Sequence, residues 1–534
     1  MKTGAEIIAH HLRGAGCHTA FGIPGGEVLA LVDALTQSGI RFVLTKHENS
    51  AGFMAEGAWH ATGAPGILVA TLGPGVANAV NVVANAHQDK VPLIFLTGRV
   101  DAAEAESYTH QVFDHQALLR PIVKESFCAA PGAVGAMVEK ALLIAQEGQP
   151  GPVHIDVPIG VAEGATPEVE RVFSAQPRLG SLGAVGLEDA IASLEQAVRP
   201  LAIAGVDAVN EEAGPAIQAF CERYGVPLIT SYKGKGLVDE THPLVIGGAG
   251  LSPKADKVLM PLIDQSDLIL LIGYDPIEMR VGWRDPWGPE KQVIEITPVV
   301  RTHGMHRVSE SFLSPIAEAL STFSKAKPRQ TWVDGAAAQA RTELAEAFTN
   351  RGETFSPGHV YDTLRKVLPD NTVMTTDSGA HRILLSQKWT THTPRTLLQS
   401  SALCTMGCAV PIAAGYKLCA PDIPVATVLG DAGLEMILGE LATIRDLKLP
   451  VIITVMVDES LGLIEMKQRA MGRANAGVDF DGTDFPAVAE AMGGAGIWVD
   501  DVETLEAETK AALNRDTFTL LACRIGRRAY DGAF

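Results

Sequence analysis

The sequence predicts an α/β protein of three consecutive domains, each built around a parallel sheet. Three observations carry that expectation. Short apolar, β-branched runs recur along the chain, each followed by a Gly-rich turn or a helical stretch, which is the rhythm of βαβ units. The 534 residues exceed the roughly 250–300 that a single core supports. A Gly/Ser/Pro-rich passage over 166–186 and a polar helical bridge over 326–349 interrupt the rhythm, dividing the chain into 1–165, 185–325 and 350–534.

In the first domain a helix is expected over 5–12, then a strand running into the turn Gly22-Ile23-Pro24-Gly25-Gly26, and a helix near 28–35. Strands follow at 42–45, 66–71, 92–97 and 152–158. The second domain holds strand candidates at 201–204, 227–230, 268–272 and 292–296, with a helix near 214–224. The third opens on a strand at 372–376 and continues through 425–429 and 451–457. The first and third blocks share an element order, as a duplicated nucleotide-type fold would. Fold rhythm alone names no function.

Composition narrows the field. With 47% apolar and 20% charged residues the chain can bury a large core, and a formal charge of −19 disfavours nucleic acid and anionic membrane surfaces as partners. The start lacks an apolar signal segment, and no run approaches the ~18–20 apolar residues of a membrane span, so a soluble cytoplasmic protein acting on small molecules is expected. The seven cysteines are scattered without a Cys-x-x-Cys pair and are expected to be small buried hydrophobes.

The most informative segment is 425–436. An apolar strand ends in Gly430-Asp431-Ala432-Gly433, and a helix pattern follows. Open α/β sheets bind ligands at such strand ends. The small residues let the backbone approach a phosphate, and the next helix offers N–H groups to it. Asp458 ends the next apolar strand, 27 residues later, so a strand–helix–strand crossover brings two carboxylates to neighbouring strand ends. Such oxygen ligands suit magnesium. Two acidic residues in ordinary turns are the alternative.

Gly430-Asp431-Ala432, through Glu440-Leu441-Ala442-Thr443-Ile444-Arg445 and on to Asp458, resembles the thiamine-diphosphate motif of acetolactate-synthase-like enzymes. That family carries Asn at the position of Asp458, so the change adds a negative charge and removes an amide donor. The resemblance spans essentially the whole chain. It implies the thiamine-diphosphate-binding fold, with pyrimidine-binding, central and diphosphate-binding domains in that order. It also implies that Asp431, Asp458 and the Ser460 carbonyl hold Mg2+, while Gly379, His381, Met406, Gly430, Ala432 and Gly433 contact the cofactor.

By the same resemblance Glu48, in Lys46-His47-Glu48-Asn49-Ser50, is the carboxylate that meets the aminopyrimidine ring. A buried carboxylate bonded to a ring nitrogen favours the imino tautomer, whose neighbouring nitrogen takes the thiazolium proton. The cofactor then serves as electron sink while carbon dioxide leaves a 2-oxo acid. A glutamate stabilised by the helix dipole is the plainer reading. Gly73-Pro74-Gly75, with Asn78 and Asn81, resembles the turn beside the substrate carbonyl. Gln111 matches an active-site glutamine, with His110 where a Phe is usual. Lys90 occupies a position that is serine in acetolactate synthases and histidine in benzoylformate decarboxylases. Arg280 resembles the arginine that reads the second oxo acid, and Lys467 stands where a tryptophan is typical. Gly25, Gly26 and Ile464 join Lys467 on the substrate side.

The activity implied is decarboxylation of a 2-oxo acid followed by carboligation to a second carbonyl. Lys90, His110, Arg280 and Lys467 would make a cationic pocket, which leaves a simple 2-oxo acid decarboxylase of the benzoylformate or sulfopyruvate type, or an acyl transferase acting on an anionic substrate, as the alternative. A flavin or nicotinamide oxidoreductase and a non-catalytic paralogue rank lower. Acetolactate synthases carry FAD in the central domain, so the resemblance admits FAD. It also implies a homodimer or dimer of dimers, with the cofactor between the first domain of one copy and the third of another; it says nothing of a regulatory subunit.

Overall fold

Three six-stranded sheets, parallel at every strand pair, organise the computed structural model, which describes residues 1–166, 185–301, 303–352 and 354–534. Helices cover both faces of such sheets, which explains why strands such as Gly66–Ala70 and Ile452–Val457 are buried at each position and apolar apart from Thr454. The linker expected over 166–186 lies, from 167 to 184, outside the described residues.

With strands counted in chain order inside each sheet, the first and third sheets have the same spatial order: second, first, third, fourth, sixth, fifth. The similarity of the two blocks therefore extends to topology. The central sheet runs third, second, first, fourth, fifth, sixth, the order of dinucleotide-binding domains, with its switch point between Pro200–Ala204 and Leu268–Ile272.

Helix Gly214–Tyr224 and strands Leu268–Ile272 and Pro152–Pro158 lie where the periodicity puts them. Five of the strands missing from the sequence reading are sheet edges: Glu125–Cys128, Val245–Ala249, Glu310–Leu313, Leu397–Gln399 and Ala495–Val499. Glu125–Cys128, Glu310–Leu313 and Ala495–Val499 are short and partly exposed, Leu397–Gln399 has only three residues and Val245–Ala249 is broken by two glycines, so none carries a continuous apolar signature. The interior strand Thr519–Arg524 was missed as well. The helical bridge expected from 326 begins only at Ala336, because Trp332 adopts φ 46° and buries its ring, its Nε1 donating to the Pro200 carbonyl at 2.7 Å.

The first and third domains share one core. Helix Glu48–Thr62 packs on helix Ala409–Cys419, with Phe53, Met54, Ile412 and Ala413 buried between them. Glycine is required at this crossing: a Cβ on Gly415 would lie 1.9 Å from the Met54 carbonyl oxygen, and one on Gly57 would lie 2.1 Å from that of Ile412. Cys17, Cys221, Cys408 and Cys523 are buried as expected, whereas Cys404 and Cys419 are half-buried and Cys128 is exposed. Among the described residues no helix is long and apolar enough to cross a membrane.

Candidate active site

Strand Val425–Gly430 passes directly into helix Asp431–Glu435, and its parallel neighbour Ile452–Val457 pairs Met456 with Gly430. Asp431 and Asp458 consequently leave adjacent strand ends side by side. Asp431 is buried and held by backbone N–H groups: Asp458 and Glu459 donate to Oδ2 at 3.1 and 2.7 Å, and Ala432 donates to Oδ1 at 2.9 Å. Burial raises the Asp431 carboxyl, and burial together with the Asp431 charge pushes Asp458 up to about 7. Two buried carboxylates facing each other fit a divalent cation. Ser460 Oγ is engaged by Asp479 at 2.8 Å, so the serine's backbone carbonyl is the group left for an ion.

A cavity of about 120 Å³ opens above these carboxylates. Gly379, His381, Met406, Gly430, Asp431, Ala432, Gly433, Asp458, Ser460 and Ile464 line it, together with Tyr530. Every cofactor-contact residue of the third domain named from the sequence therefore reaches one cavity. The fully buried Asp377, which was not singled out, ties its walls together. Its Oδ1 bonds His381 Nε2 at 2.7 Å, its Oδ2 accepts the Gly407 N–H at 2.6 Å, and a Cβ on Gly433 would lie 2.2 Å from Oδ2. An acidic residue ending the strand Val373–Thr376, ahead of Ser378-Gly379, was the available signal.

No first-domain residue lines this cavity among the described residues. Glu48 instead opens helix Glu48–Thr62 in a second cluster. It is buried, its Oε2 accepts from Asn78 Nδ2 at 3.0 Å, and its Oε1 lies beside Gly75, where a Cβ would approach to 3.4 Å. The Gly73 N–H donates to His115 Nε2 at 3.1 Å, and His115 Nδ1 bonds the buried Asp156 at 2.8 Å. The Gln111 carbonyl packs on Gly73, with Gln111 itself at φ 60°. Gly25 packs against Thr71, whose hydroxyl donates to Glu27 at 2.7 Å, and Gly26 is exposed. The loop before Glu48 is anchored by Glu440 of the third domain, whose Oε1 accepts the Lys46 and His47 N–H groups at 3.0 and 3.1 Å.

The remaining cationic residues do not converge within the chain. Lys90 caps the far end of helix Pro74–Asp89, about 22 Å along it from Gly75, and its charge acts on Asp207 of the central domain. Its spacing in sequence hid this, because a full helix separates it from the turn. Arg280 pairs with Asp256 at 3.0 Å. His110 and Lys467 are exposed, Lys467 lying one helical turn beyond the cavity residue Ile464.

At the switch point of the central sheet the two strand ends close on each other: a Cβ on Gly205 would lie 3.1 Å from the Asp275 nitrogen. Arg301 fills the space above, paired with Asp207 and Asp275 and flanked by Glu295, while Gln149 donates to both aspartates. Three carboxylates and a closed turn do not fit the anionic diphosphate of FAD.

Family models match along the chain: the N-terminal TPP binding domain of thiamine pyrophosphate enzymes over residues 2–118, their central domain over 187–323 and their C-terminal TPP binding domain over 377–523. The acetolactate synthase isozyme 1 large subunit of Escherichia coli (strain K12) is 30% identical over 478 residues, covering 87% of this chain and 83% of that protein. The probable acetolactate synthase large subunit of Methanococcus aeolicus is 28% identical over 559 residues, covering 97% and 91%. The acetolactate synthase of Bacillus subtilis (strain 168) is 28% identical over 526 residues, covering 96% and 91%.

Proposed function

Because the chain belongs to the thiamine pyrophosphate enzymes of the acetolactate synthase type, we propose that it decarboxylates a 2-oxo acid and ligates the remaining fragment to a second carbonyl compound. The observation that carries the residue assignment is the buried Glu48, with Oε2 held by Asn78 and Oε1 beside the Gly73-Pro74-Gly75 turn. Bound thiamine diphosphate supplies the acidic carbon that adds to the oxo acid and the electron sink for loss of carbon dioxide.

This chain's residues do the rest. Glu48 Oε1 would accept a hydrogen bond from a ring N–H of the bound cofactor and so favour its reactive tautomer. Asp431, Asp458 and the Ser460 carbonyl hold Mg2+, and the residues around Gly430 and Gly379 receive the diphosphate. Met406, on the wall of the same cavity, would pack against the bound cofactor. Gln111, exposed beside Gly73, faces the substrate carbonyl, and Arg280 and Lys467 recognise the acceptor. The carboxylates around Arg301 argue against FAD, and purified protein lacking flavin absorbance is the expected outcome.

Glu48 does not line the Asp431 cavity of its own chain, which supports a site completed by a second copy in a homodimer or dimer of dimers. Supplying thiamine diphosphate, Mg2+ and a panel of 2-oxo acids, while following carbon dioxide and ligated product, tests the whole reading. Ligated product is expected. Carbon dioxide with aldehyde alone would favour a simple decarboxylase, and no turnover with cofactor bound would overturn the proposal.

A further inference from the structure

Among the described residues, two clusters of ligand-type side chains lie outside the cofactor site: His115, His154 and Asp156 in the first domain, and Glu295, His303 and His306 in the central one. In the first, each ring nitrogen has a partner. His115 is held by the Gly73 N–H and Asp156, and His154 by Thr97 and Ser126. That cluster is a completed hydrogen-bond network.

The second is incomplete. His306 is enclosed by the rings of Tyr274, Trp287 and His303, and both of its ring nitrogens are shielded from solvent without a hydrogen-bond partner. A shielded imidazole left in that state costs the desolvation of its donor and its acceptor. One ligand atom from each of Glu295, His303 and His306 lies within 4.8 Å of the others. Glu295 is buried on strand Gln292–Thr297, and the Ser311 hydroxyl at 2.6 Å from Oε2 orients its carboxylate. His303 Nδ1 accepts the Met305 N–H at 2.9 Å, a local bond that an ion would replace.

Charge points the same way. Glu295, Asp207 and Asp275 surround the single guanidinium of Arg301, which is paired with the two aspartates and lies 3.9 Å from Glu295. Negative charge is left in excess on the Glu295 side.

We propose that Glu295, His303 and His306 bind a divalent transition-metal ion, zinc by ligand preference, which pins the segment following strand Gln292–Thr297 to the end of the central sheet. Two imidazoles and one carboxylate form a recognised zinc ligand set, and three protein ligands leave a fourth position, here toward the exposed side of His303. This proposal is independent of the catalytic reading.

The test uses full-length protein stripped of metal with a chelator and then saturated with thiamine diphosphate and Mg2+, so that the Asp431 site is filled. Titration with Co2+ is expected to give one equivalent per chain with the intense visible absorption of a four-coordinate site, bleached by Zn2+. His303→Gln and His306→Gln should each weaken Co2+ binding by at least ~100-fold, more than the loss of an outer-shell partner costs. His303 is exposed, so its variant keeps the fold and stays informative even if the His306 variant does not fold. No such absorption in the wild-type protein, or unchanged affinity in a folded His303 variant, overturns the proposal.

Discussion

The Asn78 side-chain amide donates to Glu48 Oε2 at 3.0 Å, joining the N-terminal parts of two helices that follow strands Arg41–Leu44 and Gly66–Ala70, on either side of Thr19–Ile23 in the sheet. The bond fixes the Glu48 rotamer and leaves Oε1 as the oxygen available to a ring nitrogen. Glu48→Gln should therefore retain thiamine diphosphate, measured by calorimetry, while product formation falls by roughly 10²–10⁴-fold, the scale of a positioned acid–base group. Full activity in that variant would sink the mechanism.

Asp458 titrates at about 7 in the metal-free fold, against 3.8 for an ordinary aspartate, through burial first and the Asp431 charge second. Between those values the folded protein holds a proton that the unfolded chain releases, so metal-free stability declines as pH rises through this window. Mg2+ affinity has the opposite sign: it strengthens as pH rises toward 7, because the ion requires the deprotonated carboxylate. Asp458→Asn should flatten both profiles, followed by thermal melting of chelated protein and by Mg2+ titration. A variant keeping the wild-type pH dependence would remove Asp458 from the metal site.

Gly415→Ala forces a methyl group to 1.9 Å from the Met54 carbonyl oxygen, where two helices of different domains cross. Backbone must move, and the expected loss is ~1–3 kcal/mol or more of stability in urea unfolding. Wild-type stability in this variant would mean that the two domains pack more loosely than described here.

Lys467 is exposed one turn beyond Ile464 on helix Gly462–Ala470. Lys467→Trp should shift acceptor preference away from the more anionic carbonyl compounds in competition assays. Identical product ratios across an oxo-acid panel would show that Lys467 does not face the acceptor.

Much of the site was legible because parallel sheets write it locally. Gly430-Asp431 and Asp458 each follow an apolar strand, and strands joined by a crossover lie next to each other, so linear spacing became spatial proximity. Glu48, which follows Arg41–Leu44, was read from the likeness of its segment to the family's glutamate motif. Lys90 lies at the far end of a 16-residue helix from the turn that precedes it in sequence, a separation that residue order alone does not convey. Asp377 and His115 were missed because their partners, Gly407, Gly433, Gly73 and Asp156, come from distant segments.

By itself the sequence carried the fold class, through short-range periodicity, and the family, through the likeness of its strand-end motifs, from which the carboxylates proposed for the site were read. Tertiary structure alone decided that the cavity gathers third-domain residues while Glu48 stands in a separate cluster. It also showed the central switch point closed by Arg301 and its carboxylates, and two helices crossing at Gly57 and Gly415. These features depend on which segments meet after the sheets twist and the domains share a core, and side-chain contacts between remote segments leave no period in the chain.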